Sequence, residues 1–280
     1  MPRFITDPGN HWSWCLFQIG LFFLPSSAFL AGCFLLIPLI LGSFRGFTTF
    51  QSDIWNIPFL LAAILMLFGA INAYSGSLAW VGLGNWLPFF FCFLSFQYYL
   101  RTPQQRRRSI LILLAGTVPV VITGLGQMWL GWKGPWELMN GLIVWFIASG
   151  GQPSGRLSGL FDYANIAGSW LAMICPFSFV ALTQSSLRRL PRLIYFIFAT
   201  AIVTTLIMTD SRNAWGGLFL SIPLMLGASR WLWALPLIGL LLLFLSFAVL
   251  PGVEPTLQSF TRRVIPDSIW TRLTDLQYAD

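Results

Sequence analysis

An all-α bundle of membrane-spanning helices is the fold class this sequence predicts, and three observations predict it. Of 280 residues only 9% are charged while 56% are hydrophobic. A soluble domain carries about 25% charge, so a water-soluble globule of this composition could not cover its own surface. Mean hydropathy is +0.75, with 14 Trp and 26 Phe. Apolar runs of the roughly 17–25 residues that cross a bilayer recur along the chain, without the alternating ten-residue strands of a barrel.

At the N-terminus, segments 12–24 and 26–42 flank Pro25-Ser26-Ser27. They form either a hairpin of two short spans or one bent helix with an interfacial start. Further spans are expected at 57–74, 85–100, 109–126, 165–183, 193–209, 214–229 and 231–250. Together they make about eight or nine spans in a single integral membrane domain over 1–280. Segment 138–148 is too short to cross and is expected to be re-entrant or interfacial. The early segment lacks the basic region and small-residue cleavage site of a signal peptide. Cys15, Cys33, Cys92 and Cys175 sit in apolar runs with no pairing spacing, so neither a disulfide framework nor a metal site is indicated.

Arginine sets the expected orientation. The stretch 101–108, expected to be a loop, carries Arg101, Arg106, Arg107 and Arg108, and 185–192 carries Arg188, Arg189 and Arg192. Both are cytoplasmic by the positive-inside rule. Propagated along the spans, this places ten of the 16 basic residues inside with Asp7 and Asp53, and six outside with the other seven acids. The formal charge of +7 is thus explained by topology, and nucleic acid is not an expected partner. Five arginines are nonetheless left outside: Arg156 before one span, Arg212 in a near-zero-length turn, and Arg262, Arg263 and Arg272 in the tail. They either converge at the outer mouth of the bundle or pair singly with Asp162, Asp210, Asp267 and Asp275.

Two stretches carry a family likeness. Arg156-Leu157-Ser158-Gly159-Leu160-Phe161-Asp162-Tyr163-Ala164-Asn165 leads into a span, and Thr209-Asp210-Ser211-Arg212-Asn213-Ala214-Trp215-Gly216-Gly217 joins two spans. The first resembles the R-x-S-G-x-F-x-x-x-N entry of the O-antigen ligase and polymerase family of bacterial envelope proteins; the second resembles that family's T-x-S-R-x-A-x-x-G turn. Trp270-Thr271-Arg272-Leu273 resembles the start of the family's large outer loop. In the N-terminal half, Asn85-Trp86-Leu87-Pro88-Phe89, Thr123-Gly124-Leu125-Gly126-Gln127 and Gly134-Pro135-Trp136 look most like a cyanobacterial subgroup. Physically, Ser158-Gly159 permits a tight backbone approach, and Asn165 is expected to cap the helix beginning there. Ser211 or Asp210 is expected to cap the next one. A helix N-terminus beside an arginine is an anion site.

The resemblance implies a multi-pass protein of the bacterial inner membrane that takes a glycan from undecaprenyl diphosphate at the outer face and passes it to a glycan or lipid acceptor. No cofactor is implied, because the lipid diphosphate is already the activated leaving group. Arg156, Arg212 and Arg272 are the implied diphosphate ligands, since arginine grips phosphate oxygens bidentately. Ser158, Gly159, Asn165 and Ser211 are the supporting residues. An apolar groove for the polyprenyl tail is needed as well. The family's catalytic histidine lies further along a loop of which 251–280 resembles only the beginning, so the chain alone is expected to bind donor without transferring glycan. His11 matches no family motif, and beside Trp12 and Trp14 it reads as interfacial. Two other functions stay open: bicarbonate or anion transport, with which a cyanobacterial branch of the family is associated, and a non-catalytic envelope scaffold. Trp132 and Trp136 flank the loop before 138–148, either as interfacial anchors or as contacts for a polyprenyl chain.

Overall fold

A computed structural model describes residues 11–182, 189–226 and 254–264, with isolated positions between 236 and 247. The chain divides into two units, 1–218 and 219–280. In the first, the helices are α1 (His11–Phe23), α2 (Ala28–Ser52), α3 (Ile57–Ile71), α4 (Ser77–Tyr99), α5 (Pro103–Trp129), α6 (Ala164–Leu182) and α7 (Arg189–Met208). Helix α8 (Arg212–Leu226) begins in the first unit and continues into the second. The second unit also holds a short helix, Pro255–Val264, on which Arg262 and Arg263 are exposed. Span 231–250 lies largely outside the described residues, and Arg272 lies wholly outside them.

The chain is a membrane protein by the length and apolarity of its helices. Among the described residues, four helices are long and apolar enough to cross a bilayer: Ala28–Phe47 within α2, then α4, α5, and Leu190–Met208 within α7. Helix α3 and the Ala164–Phe179 part of α6 are apolar but shorter. Their outward faces carry large apolar side chains, including Leu65, Phe68, Val81 and Phe89, all exposed. Water would not tolerate such a surface, whereas lipid tails match it.

The N-terminal alternative resolves to a hairpin. Ser27 caps α2 by accepting from the Leu30 amide at 3.3 Å. Helix α1 has only 13 residues, about 20 Å of rise, and it is packed inward on α2 and α5. Phe17 of α1 is fully buried against Tyr99 and Phe96 of α4, with Trp14 stacked beside them. Ser13 and Tyr99 share a hydrogen bond at the same end.

Glycines set the closest crossings. Gly42 and Gly46 stand one turn apart on α2 and meet α4 at Ser95, Leu94 and Tyr98. A Cβ at Gly42 would collide with the Ser95 side chain, and Ser95 in turn donates to the Pro38 carbonyl at 2.9 Å. Small residues four apart let two backbones approach where lipid supplies no hydrophobic drive between helices. Gly42→Leu is therefore expected to destabilise the protein by about 1–3 kcal/mol, read as a lower melting temperature in detergent. Gly32→Leu, at an open position, serves as the neutral control.

Two expectations about loops are corrected. The arginines of 101–108 do not form a loop: α5 starts at Pro103, capped by Thr102, whose hydroxyl accepts from the Gln105 amide while Gln105 Oε1 accepts from the Thr102 amide. Arg106, Arg107 and Arg108 thus ride on the first turns of α5. Segment 138–148, expected to be re-entrant or interfacial, is not helical. It belongs to a β-hairpin, β1 (Trp136–Leu138) and β2 (Ile143–Trp145), paired Trp136 with Trp145 and Leu138 with Ile143. Met139, Asn140 and Gly141 turn the chain at positive φ, the conformation that Asn-Gly favours.

Helix α5, at 27 residues and about 40 Å, runs from an arginine end to a loop end. Arg45, Arg101 and Tyr98 meet at the first, Arg101 lying 4.6 Å from the Tyr98 ring centroid. At the second, the hairpin is tied to the α1–α2 turn, where the Trp145 indole N–H donates to the Ser26 carbonyl.

Candidate functional site at the loop end

The loop between α5 and α6 is held from below by one side chain. Gln127, in the last turns of α5, is fully buried. Its Oε1 accepts from the amides of Ser158 (3.1 Å) and Gly159 (2.8 Å). Its Nε2 donates to the Ala148 carbonyl (2.7 Å) and to Ser158 Oγ (3.0 Å). Every donor and acceptor of the carboxamide is thus engaged. Gly159 makes this possible: at φ +62 it passes a position where a Cβ would sit 3.3 Å from the Val120 carbonyl. Gly124 does the same one turn below, accepting the Leu157 side chain against its backbone.

Ser158 is consequently a structural residue. Its hydroxyl faces Gln127 with no surface exposed, which removes it from any substrate. Asn165 departs from expectation too. Helix α6 begins at Ala164, so Asn165 lies inside the first turn, where Ile166 and Ala167 donate to the Tyr163 carbonyl. Its Oδ1 instead accepts from Arg156 Nη2 at 2.7 Å. Ser211 occupies the position before α8 and its carbonyl accepts from the Trp215 amide. Its hydroxyl caps nothing: it is buried against α6 without a hydrogen-bond partner. The reason is the contact with Gly168, whose Cβ would stand 2.9 Å from Ser211 Cβ. The small residue there serves helix packing.

Arg156 connects these pieces. It is half-buried, and its Nε donates to the Thr209 carbonyl at 3.0 Å while Nη2 reaches Asn165. The neighbouring Leu157 amide donates to the Met208 carbonyl at 2.8 Å. One arginine therefore joins the loop, the start of α6 and the turn from α7 to α8. Its partners are neutral oxygens, so of the two alternatives the single pairing with Asp162 does not occur. Arg212 follows three residues after Thr209 at the first position of α8, exposed and without a hydrogen-bond or ion-pair partner among the described residues. Asp210, partly buried at φ +50, shares that turn.

The electrostatic consequence is direct. A helix N-terminus carries roughly half a positive charge and favours anions. Two of them, those of α6 and α8, meet here through Gly168 and Arg156, and each has an arginine beside it. The carboxylates of Asp210 in the turn and of Asp162 two residues before α6 do not cancel that sum. The arrangement offers an anion the Arg212 guanidinium, the uncommitted N–H groups of Arg156 and the first-turn amides of α8, whereas at α6 the Ala164, Ile166 and Ala167 amides are taken by the Gln152 and Tyr163 carbonyls.

An apolar groove of about 640 Å3 runs between α5 and α7, with Leu114, Val118 and Ile122 on one wall and Ile194, Ile197 and Phe198 on the other. Its last α5 residue, Leu125, lies two residues before Gln127. Trp132, by contrast, packs on Gly126, and the Trp136 indole donates to the Lys133 carbonyl, so both are engaged in holding the loop. His11 is exposed at the arginine end, 3.8 Å from the Cys15 sulfur.

No family model matches the chain, nor does any curated protein or solved structure.

Proposed function

We propose that the chain is an O-antigen ligase- or polymerase-like membrane protein that binds a glycan carried on undecaprenyl diphosphate at the outer face of the bacterial inner membrane. The observation that carries this reading is the placement of Arg156 and Arg212 at two adjoining helix N-termini. A cation at a helix N-terminus is unfavourable by about 0.3–1 kcal/mol, and two together make sense around a bound anion. A lipid diphosphate supplies that anion, and the groove between α5 and α7 supplies an apolar path for its tail toward the same end. The third expected ligand, Arg272, remains part of the proposal through the motif around it, as do the full eight or nine spans.

The anion-transport alternative has less support. Carriers of ions across a bilayer hold charged groups in the bundle interior, and among the described residues no Asp, Glu, Lys or Arg is buried.

Orientation follows from charge. The arginine end holds Arg45, Arg101, Arg106, Arg107 and Arg108, which the positive-inside rule assigns to the cytoplasm, leaving the loop end outside. In a cysteine-free background, a cysteine at exposed Ser154 is expected to react with an impermeant maleimide in intact cells, and one at exposed Gln104 only after lysis. The reverse pattern would move the arginine pair to the cytoplasmic face and end the proposal. With the orientation established, a photoactivatable polyprenyl diphosphate is expected to label the 148–165 loop or the 209–215 turn. Labelling confined to the 100–109 region would refute the donor site.

A further inference from the structure

Beside the arginine cluster lies a second cavity of different chemistry. It is a cleft of about 320 Å3 whose lining includes Pro135, Phe146, Ile147, Ala148, Gln152 and Asp162. Its walls are fixed by backbone bonds. Gly134 donates to the Ile147 carbonyl at 2.7 Å, Gln127 holds the Ala148 carbonyl, and the Ala164 amide donates to the Gln152 carbonyl at 2.8 Å. Neither Arg156 nor Arg212 lines it.

Three side chains on these walls are free to act on a ligand. Phe146 is 67% exposed, which leaves its ring accessible from the cleft. Asp162 and Gln152 are exposed, and neither side chain has a hydrogen-bond or ion-pair partner among the described residues. The combination excludes several ligand classes. A phosphate would meet the Asp162 carboxylate. A metal ion would find one carboxylate and no second acidic or imidazole side chain in the lining. An isoprenoid chain would meet a carboxylate and a carboxamide instead of a continuous apolar wall. A neutral sugar ring satisfies all three side chains at once. Its C–H face lies on an aromatic ring, its hydroxyls donate to a carboxylate, and a carboxamide both donates and accepts. The volume is at the small end of ligand sites, which run about 300–1,000 Å3, and suits a single hexose unit.

We infer that this cleft is a hexose-binding subsite, with Phe146 against the ring face and Asp162 and Gln152 on the hydroxyls. The inference deepens the donor reading by placing one sugar next to the diphosphate, and it rests on that reading only for whose sugar it is. A hexose here comes either from the glycan on the donor or from the acceptor.

The test uses the full chain in lipid nanodiscs, titrated with methyl glucoside, methyl galactoside and methyl N-acetylglucosaminide by saturation-transfer NMR. At least one glycoside is expected to bind saturably. Asp162→Asn and Phe146→Ala are each expected to weaken that binding at least tenfold with the melting temperature unchanged, and Arg212→Ala to leave it intact. Adding a hexose-bearing polyprenyl diphosphate then separates the sources: displacement of the free glycoside marks a donor subsite, and simultaneous binding marks an acceptor subsite. Absence of saturable binding by all three glycosides overturns the inference, as does binding that neither variant weakens. A failure of the diphosphate reading shows separately, as lipid-diphosphate binding that is indifferent to Arg212→Ala.

Discussion

Gln127→Leu is expected to release the loop end of the protein while leaving the helix content nearly unchanged. Leucine fills the same space but takes neither the Ser158 and Gly159 amides nor the Ala148 carbonyl, which Gln127 now satisfies. Each buried group left without a partner costs about 1–3 kcal/mol. Water entering the loosened loop recovers part of that, so a net loss of about 3 kcal/mol is expected. The measurable sign is limited proteolysis: cleavage in 130–163 should rise sharply, with circular dichroism close to that of the parent. Gln127→Glu gives a sharper comparison, because its carboxylate still accepts both amides but can no longer donate to Ala148. It should fall between the two.

The second large effect is expected at Arg156, where stability and binding are coupled. Arg156→Ala removes the bonds to Thr209 and Asn165; hydrogen bonds from a charged donor are worth about 1.5–3 kcal/mol. The α7–α8 turn is then held to the loop only by the Leu157 amide on the Met208 carbonyl, so Arg212 is less firmly placed as well. Arg156→Lys keeps the charge but not the planar fork that reaches two oxygens in different directions. A pure charge role predicts that lysine restores lipid-diphosphate affinity nearly in full. The bridging geometry predicts only partial rescue, with a melting temperature nearer that of alanine, and a thermal shift in detergent tells these apart.

Much of the helical frame was legible because lipid and core select the same thing, an apolar run of sufficient length. The expected segments 85–100, 109–126, 165–183 and 193–209 fall over their described residues on α4 to α7, to within a residue at the ends. The errors came where a local signal was outweighed by hydrophobicity. Thr102-Pro103-Gln104-Gln105 is a capping box with proline at the first helical position, yet its neighbouring arginines read as a loop. Asn140-Gly141 between Leu138 and Ile143 is a hairpin signal, hidden inside an otherwise apolar stretch. At the site, charge placed Arg156 and Arg212 at one end of the bundle. The tertiary partners that make Asn165 a bridging residue and Ser211 a packing residue instead of helix caps, and that bury Ser158 against Gln127, had no signature in the motif. Gln127 closes the stretch Thr123-Gly124-Leu125-Gly126-Gln127, which carried only a family likeness. A lone amide at the end of a long apolar helix was the available clue, since a polar group buried there must find partners.

The most direct measurement of the central claim is the affinity of the full chain, in nanodiscs of neutral lipid, for undecaprenyl diphosphate against undecaprenyl monophosphate. Parent protein is compared with Arg212→Ala and with Arg108→Ala at the opposite end of α5. The account predicts preference for the diphosphate and at least a tenfold loss in Arg212→Ala, with Arg108→Ala unchanged. Equal affinity for the two lipids, or equal loss in both variants, would contradict a diphosphate site at the loop end.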